Sequence, residues 1–365
     1  MLKIGIAGVG FMGMVHYLTY QKLRGAKVAA ICDPDPEKRS GDWRGIQGNF
    51  GPPGERMDLS GVAAYESLDE LIADESLDLI DITLPPALHA DAACRALSAG
   101  KHVFCEKPMA MRPADCDRMQ RAADKAERLL LVGHVLPYFP EYAWALKEVQ
   151  SGKHGRLLGG SFKRVISDPA WLSHYWDAER IGGPMLDLHV HDAHLIRLLF
   201  GKPTAVTTCG RLREGLPEFW STQFEYGPQA SGVGPRRASE ARSPKPEAVA
   251  VTATSGTINQ QGRPFQHAFE LHLERATLVF DFAVIGDEAG YLCPPTVLTE
   301  GGKAKRPHLA GGDPMDAFAG ELKEVLRCVR AGEQSPVLGA ELARDAISIC
   351  QAQSRSLQTG KRVRV

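Results

Sequence analysis

Met1-Leu2-Lys3-Ile4-Gly5-Ile6-Ala7-Gly8-Val9-Gly10-Phe11-Met12-Gly13 opens the chain, and its reading decides the fold of the first third. Leu2, Ile4 and Ile6 predict a short apolar strand, and Met14 to Leu23 a helix. Between them Gly8, Gly10 and Gly13 form G-x-G-x-x-G. In a strand–turn–helix context each glycine has a purpose. Gly8 allows a tight turn, Gly10 lets the backbone approach a pyrophosphate, and Gly13 lets helix and strand pack closely. The helix would turn its unpaired N–H groups and positive dipole end toward the phosphates, with Phe11 and Met12 lying in the same turn.

The second half of that fingerprint follows. Val28 to Cys32 predicts another apolar strand, and it ends at Asp33. An acidic residue about twenty positions past the last glycine sits where a dinucleotide site holds the adenosine ribose. A carboxylate there accepts hydrogen bonds from ribose hydroxyls and repels a 2′-phosphate. NAD is therefore the expected cofactor, and Lys38 and Arg39 nearby leave NADP open.

The remaining composition fits this direction. The 365 residues exceed one typical core, so two domains are expected. A net charge of −1 and no basic run argue against nucleic acid. No apolar stretch has the length of a membrane span. The chain enters a core strand at once, without a signal-peptide pattern, and its eight cysteines lack C-x-x-C spacing. Reduced thiols and a cytoplasmic location are the expectation.

Strand and helix signals alternate to residue 134. Leu77–Ile82, His102–Cys105 and Leu130–Gly133 predict strands; His89–Ala99 and Pro113–Leu129 predict helices. This is βαβ repetition, hence an α/β, doubly wound parallel sheet over 1–134. Over 135–365 the pattern changes. Helices are predicted at Glu141–Gln150, Met185–Phe200, Met315–Arg330 and Glu341–Leu357. Strand-type runs cover Ala205–Gly210, Thr222–Tyr226, Val249–Thr254, Ala268–Leu273 and Thr277–Phe282. An α+β domain with a large, mostly antiparallel open sheet is expected. Residues 227–247, rich in Gly, Pro, Ser and Arg, predict an exposed insertion.

Three further segments carry the chemistry: Thr83-Leu84-Pro85-Pro86 followed by His89; Gly100-Lys101-His102-Val103-Phe104-Cys105-Glu106-Lys107-Pro108; and Gly182-Gly183-Pro184-Met185-Leu186-Asp187-Leu188-His189-Val190-His191-Asp192. Lys107 follows a parallel strand, which puts it at the cofactor face, where an ammonium can stabilise negative charge on a substrate oxygen. Glu106 is placed to orient it. Asp187 and His191, four apart on one predicted helix, share a face, and a neutral imidazole accepts a hydroxyl proton near pH 7. A rival reading takes His189, His191, Asp192 and His194 as metal ligands. On a helix His189 points away from the face of Asp187, His191 and His194, so no metal is assigned.

With the N-terminal fingerprint, these segments resemble the glucose–fructose oxidoreductase, inositol dehydrogenase and MocA-like family over essentially the whole chain. The resemblance implies an NAD(P)-dependent dehydrogenase acting on a secondary hydroxyl of a sugar, sugar acid or cyclitol. It implies Lys107 and His191 as the acid/base pair and Asp187 as a substrate contact. Thr83, Leu84, Pro85, His89, Glu106 and Lys107 join Gly8, Gly10, Phe11, Met12, Gly13 and Asp33 around the cofactor. It also implies a cis Lys107–Pro108 bond and a homodimer or homotetramer through the C-terminal sheet. Some family members use retained NAD for redox-assisted glycoside cleavage, and others are dinucleotide sensors. His189, His194 and Pro137 depart from the family pattern, which bears on the substrate more than the reaction. Trp171, Tyr175 and Trp176 precede Gly182 as aromatic substrate candidates.

Overall fold

A computed structural model describes residues 1–48, 50–169, 172, 175–227, 249–309 and 312–365. Trp171 and nearly all of the predicted insertion at 227–247 lie outside them. The chain forms two units. One contains 1–139 and 311–344, the other 140–310 and 345–365.

In the first unit the strands are β1 (Leu2–Ala7), β2 (Ala26–Cys32), β3 (Ala63–Tyr65), β4 (Leu79–Ile82), β5 (His102–Glu106) and β6 (Leu130–Gly133), in sheet order 3-2-1-4-5-6. Every pairing is parallel. The order reverses at β1, so the crevice beside its carboxyl end is the ligand position of such sheets. The connecting helices are α1 (Phe11–Gln21), α2 (Pro36–Arg39), α3 (Leu68–Ala73), α4 (Pro86–Ser98) and α5 (Pro113–Ala126). Strands buried on both faces explain the near-continuous apolar runs of the sequence: Ile4, Ile6, Ile31, Leu79, Ile80, Val103 and Leu131 are almost wholly buried.

The sequence reading gave everything after residue 134 to the second domain, but the structure places 311–344 in the first. The helix Pro314–Ala331 lays Leu322, Val325, Leu326 and Val329 into the same core as Met14, Tyr17 and Tyr20 of α1. Beyond it, Leu131 of β6 bridges Gly339, and the Val132 amide donates to the Leu338 carbonyl at 2.9 Å. An amphipathic helix declares its apolar stripe but not the core that receives it.

The second unit is built on a nine-stranded sheet. Its strands are β7 (Leu157–Ser167), β8 (Ala205–Arg213), β9 (Leu216–Glu225), β10 (Ala250–Ile258), β11 (Phe265–Leu273), β12 (Ala276–Ile285), β13 (Glu288–Thr299), β14 (Ala304–Lys305) and β15 (Val363–Arg364). The order is 14-13-12-11-7-10-9-8-15. Only β7 and β10 pair in parallel; the other pairings are antiparallel. Its helices are α6 (Pro140–Gln150), α7 (Gly183–Asp187) and α8 (Val190–Phe200). The helix Pro314–Ala331 is α9, and α10 (Ala340–Thr359) carries the boundary between units at 344/345. Among the described residues, no helix is long and apolar enough to cross a membrane. All eight cysteines are unpaired thiols.

Candidate active site

The glycine turn behaves as its spacing predicts. Gly8 has φ +97°, in the left-handed region. A Cβ on Gly13 would stand 2.1 Å from the Gly8 carbonyl oxygen, so only glycine permits the approach of α1 to the turn. Gly10 is different: among the described residues, no atom beyond its own stretch of chain lies within 4 Å of where its Cβ would be. Packing explains Gly13 but not Gly10, whose bare backbone faces open space. Gly10 also begins α1 without a side-chain cap, which leaves the helix N-terminus to an external acceptor. Thr83, just after β4, donates its hydroxyl to the Gly8 carbonyl at 2.7 Å and clamps the turn across the crevice.

Asp33 is buried at the end of β2 and accepts from the Val9 amide at 2.8 Å and the Asp35 amide at 3.0 Å. Lys38 Nζ stands 3.7 Å from the same carboxylate. The charge expected to exclude a 2′-phosphate thus also tethers the glycine turn. Asp33→Ser should shift cofactor preference toward NADP by roughly tenfold or more, because like-charge repulsion is lost and Lys38 is freed. It should also weaken NAD itself by loosening Val9. Calorimetric titration of both dinucleotides checks this, and equal affinities in the wild type would contradict it.

His89 and Glu106 are placed by backbone groups. The His89 ring lies between the Leu84 carbonyl, 2.7 Å from Nε2, and the Pro108 carbonyl, 2.9 Å from Nδ1. It ties the Thr83–Pro85 loop, which runs into α4, to the corner after β5. Burial is the main cause holding its pKa below the usual histidine value. At that corner the Lys107–Pro108 bond is cis, and the Lys107 amide donates to Glu106 Oε2 at 3.0 Å. Lys107 is half-buried, as are Phe11 and Met12 at the start of α1. The turn glycines, Asp33, Thr83 and the Glu106–Lys107 corner all lie at carboxyl ends of neighbouring strands, and they fit a dinucleotide.

In the second unit the single predicted helix over Met185–Phe200 is instead two. Gly182 and Gly183, with φ +84° and +68°, swing the chain into α7. The amides of Leu188 and His189 then share the Pro184 carbonyl, each at 3.0 Å, a widened turn that separates α7 from α8. The cause is His189, drawn inward between Ser255 Oγ (2.7 Å from Nδ1) and Gln353 Nε2 (3.0 Å from Nε2). Because Gln353 donates, His189 is assigned as the Nδ1–H tautomer. Burial brings its pKa down to about 4. Asp187 therefore ends one helix and His191 enters the next, both half-buried, and their spacing is not that of one regular helix. Asp192 beside His191 forms a buried two-pronged pair with Arg164 of β7, at 2.6 and 3.1 Å.

Of the aromatic candidates, Tyr175 is buried, and its hydroxyl has no hydrogen-bond partner among the described residues. Burial first, then Asp187 and Asp168, keep it a phenol. Trp176 donates to Asp168 at 3.1 Å and stacks under the Arg213 guanidinium at 4.4 Å, a packing role. Asp187, His191 and His194 do not gather as a metal set. The described residues whose donor atoms come that close are His16, Glu106 and Glu321, a cluster without sequence proximity.

Residues 2–134 match the family model described as the oxidoreductase family with NAD-binding Rossmann fold, and residues 142–279 match the GFO/IDH/MocA C-terminal domain. Inositol 2-dehydrogenase of Salmonella typhimurium is 32% identical over 161 residues, 43% of this chain and 44% of its own length. The 2,7-anhydro-N-acetylneuraminate hydratase of Escherichia coli is 27% identical over 213 residues, 58% of this chain and 53% of its own. The chain thus spans about half the length of the curated relatives it matches. A levoglucosan dehydrogenase solved with NADH superposes over 100% of this chain and 99% of that one, with TM-score 0.77 and 20% identity. An aldose-aldose oxidoreductase of Caulobacter crescentus does so over the same shares, with TM-score 0.76 and 20% identity. Joined to an NAD-type glycine turn, these matches to both halves show that the chain belongs to the GFO/IDH/MocA family of NAD-binding oxidoreductases.

Proposed function

We propose that this protein is an NAD-dependent dehydrogenase oxidising a secondary ring hydroxyl of a sugar, sugar acid or cyclitol. The observation that carries the reading is the Glu106–Lys107 corner after β5, set on the same strand ends as the open-faced Gly10 turn. NAD, when bound, supplies the two-electron acceptor. In this reading Lys107 stabilises charge on the substrate oxygen, His191 exchanges the hydroxyl proton, and Asp187 holds a neighbouring hydroxyl. The Tyr175 phenol beside Asp187 is a further donor for a polyol. The relatives named inositol 2-dehydrogenase and the NADH-bound levoglucosan dehydrogenase support the substrate class. Exposed Ile285, Tyr291, Leu292 and Leu298 on β12 and β13 support a homo-oligomer formed through this sheet.

The test is a panel of cyclitols, aldoses, anhydrosugars and sugar acids, followed by NADH absorbance. At least one should give NAD-dependent turnover that depends on Lys107. The hydratase among the relatives favours a second reading, redox-assisted bond cleavage with retained cofactor. That reading expects co-purified NAD and product formation with no net NADH. A panel with neither outcome would overturn both.

A further inference from the structure

Behind the Glu106–Lys107 corner lies a buried polar cluster that the proposed reaction does not use. His16 of α1 is fully buried; its Nδ1 is 2.9 Å from Asp81 Oδ2 of β4, and its Nε2 is 3.3 Å from Glu106 Oε1 of β5. Phe104 stacks on the imidazole at 5.6 Å, and Phe318 of α9 lies 6.2 Å away. Glu321 of α9 enters the same volume wholly buried, one oxygen within 4.8 Å of donor atoms of both His16 and Glu106. Neither Glu321 oxygen has a hydrogen-bond partner among the described residues.

Three carboxyl groups and one imidazole out of water are untenable with all three acids ionised. We propose that the cluster holds two protons, which cut its charge from three negative to one. One makes His16 an imidazolium that donates to Asp81 and forms an ion pair with Glu106 at 3.3 Å; the other keeps Glu321 a carboxylic acid, and together they fix Glu106 and thereby the Lys107 backbone. An ionised Glu321 would leave four lone-pair sites without a donor. As an acid it carries no charge that asks for a donor, and its nearest cluster neighbours, His16 and Glu106, lie within 4.8 Å. His16, held between two carboxylates, has a donor for each only when doubly protonated. Glu106 then spends Oε1 on His16 and Oε2 on the Lys107 amide. His16 and Glu321 are positioning residues, and that last step rests on the Lys107 reading above.

The electrostatics agree. Burial alone would push His16 down, but the charge and hydrogen bond of Asp81, and then Glu106, carry it well above its usual value. Burial, then Glu106, push Glu321 well up against the opposing pull of His16. The titratable neighbours are Tyr20 of α1, Cys105 of β5, His89 of α4 and Tyr138 of the short turn at Leu136–Tyr138. Burial raises Tyr20, Cys105 and Tyr138 and lowers His89, so burial favours the neutral form of each.

Because the fold keeps a proton that the unfolded chain releases above about pH 4.3, the stability tied to Glu321 is full below that value. It is lost as pH rises through the folded value. Glu321→Gln has no such proton to lose. Its melting temperature should equal or exceed wild type, by a margin that widens by several degrees from pH 5.5 to pH 8.5. Nitrogen NMR of the ring-labelled enzyme should show His16 doubly protonated at pH 7, and metal analysis should find no stoichiometric ion. Glu321→Gln should keep kcat within about threefold while Glu321→Ala lowers kcat more than it changes KM. A margin that does not grow with pH, a neutral His16, or a bound metal lost in Glu321→Gln would overturn the proton assignment. Wild-type kcat in Glu321→Ala would overturn the positioning step. If Lys107 proves dispensable while the NMR and melting results hold, the reading of Lys107 fails and the two-proton cluster stands.

Discussion

Lys107→Met is expected to fold, bind NAD with near wild-type affinity and lose roughly 10²–10⁴ in turnover, the range for removing one positioned acid/base group. The lysine backbone is held independently of its side chain. Its amide bonds Glu106, and the following Pro108 carbonyl faces His89. Methionine keeps the length of the side chain and deletes only the ammonium, so the loss should fall on kcat more than on KM. Cofactor titration with single-turnover kinetics separates the two. Turnover within a few-fold of wild type on any substrate of the panel would remove Lys107 from the chemistry.

Asp192→Ala is expected to be the most destabilising single truncation near α7 and α8, costing about 3–5 kcal/mol. The pair it breaks is almost fully buried, with side-chain exposures of 4% for Arg164 and 1% for Asp192. Removing the carboxylate strands a guanidinium among Tyr142, His267 and His189, none of which carries a compensating charge. Burial lowers both histidines, and burial also raises the Tyr142 phenol. The removed residue belongs to the first turn of α8, beside His191, so activity should fall with stability. Chemical denaturation measures the cost, and a loss under 1 kcal/mol would show that water or relaxation solvates Arg164. Replacing both partners with apolar residues, Arg164→Met with Asp192→Leu, should recover most of the loss, since no unpaired charge remains.

How much of this was legible in the chain depends on range. The β1–turn–α1 unit was readable because each of its constraints acts within thirteen residues. Asp33 was readable because a fixed strand separates it from the turn. β7, the central strand of the large sheet, was not. Gly159-Gly160 and Lys163-Arg164 break the apolar pattern, and no strand is assigned there from the sequence. Yet a Cβ on Gly159 would sit 2.4 Å from the Ala250 carbonyl oxygen, and Arg164 is buried because Asp192 meets it. Both reasons lie far along the chain. The break between α7 and α8 was hidden likewise, since Ser255 and Gln353, which draw His189 inward, come from distant segments. Glu321 left one faint signal: it stands at helical spacing with Phe318, Leu322 and Val325, on the stripe that should be apolar. A charged residue there asks for a partner, and only the fold supplies His16 and Glu106.

The return of residues 311–344 to the first unit has a consequence for anyone treating the chain as two exchangeable modules. A nucleotide-binding cassette cut at residue 139 would leave behind α9 and the Leu338–Gly339 strap, baring the flank of Met14, Tyr17 and Tyr20 and taking Glu321 from the pocket behind Lys107. The true cassette is written in two pieces, with most of the second body between them and the remainder of that body, 345–365, after them. Recombination that swaps one contiguous half would therefore cut through a core, and functional shuffling must carry 311–344 together with 1–139.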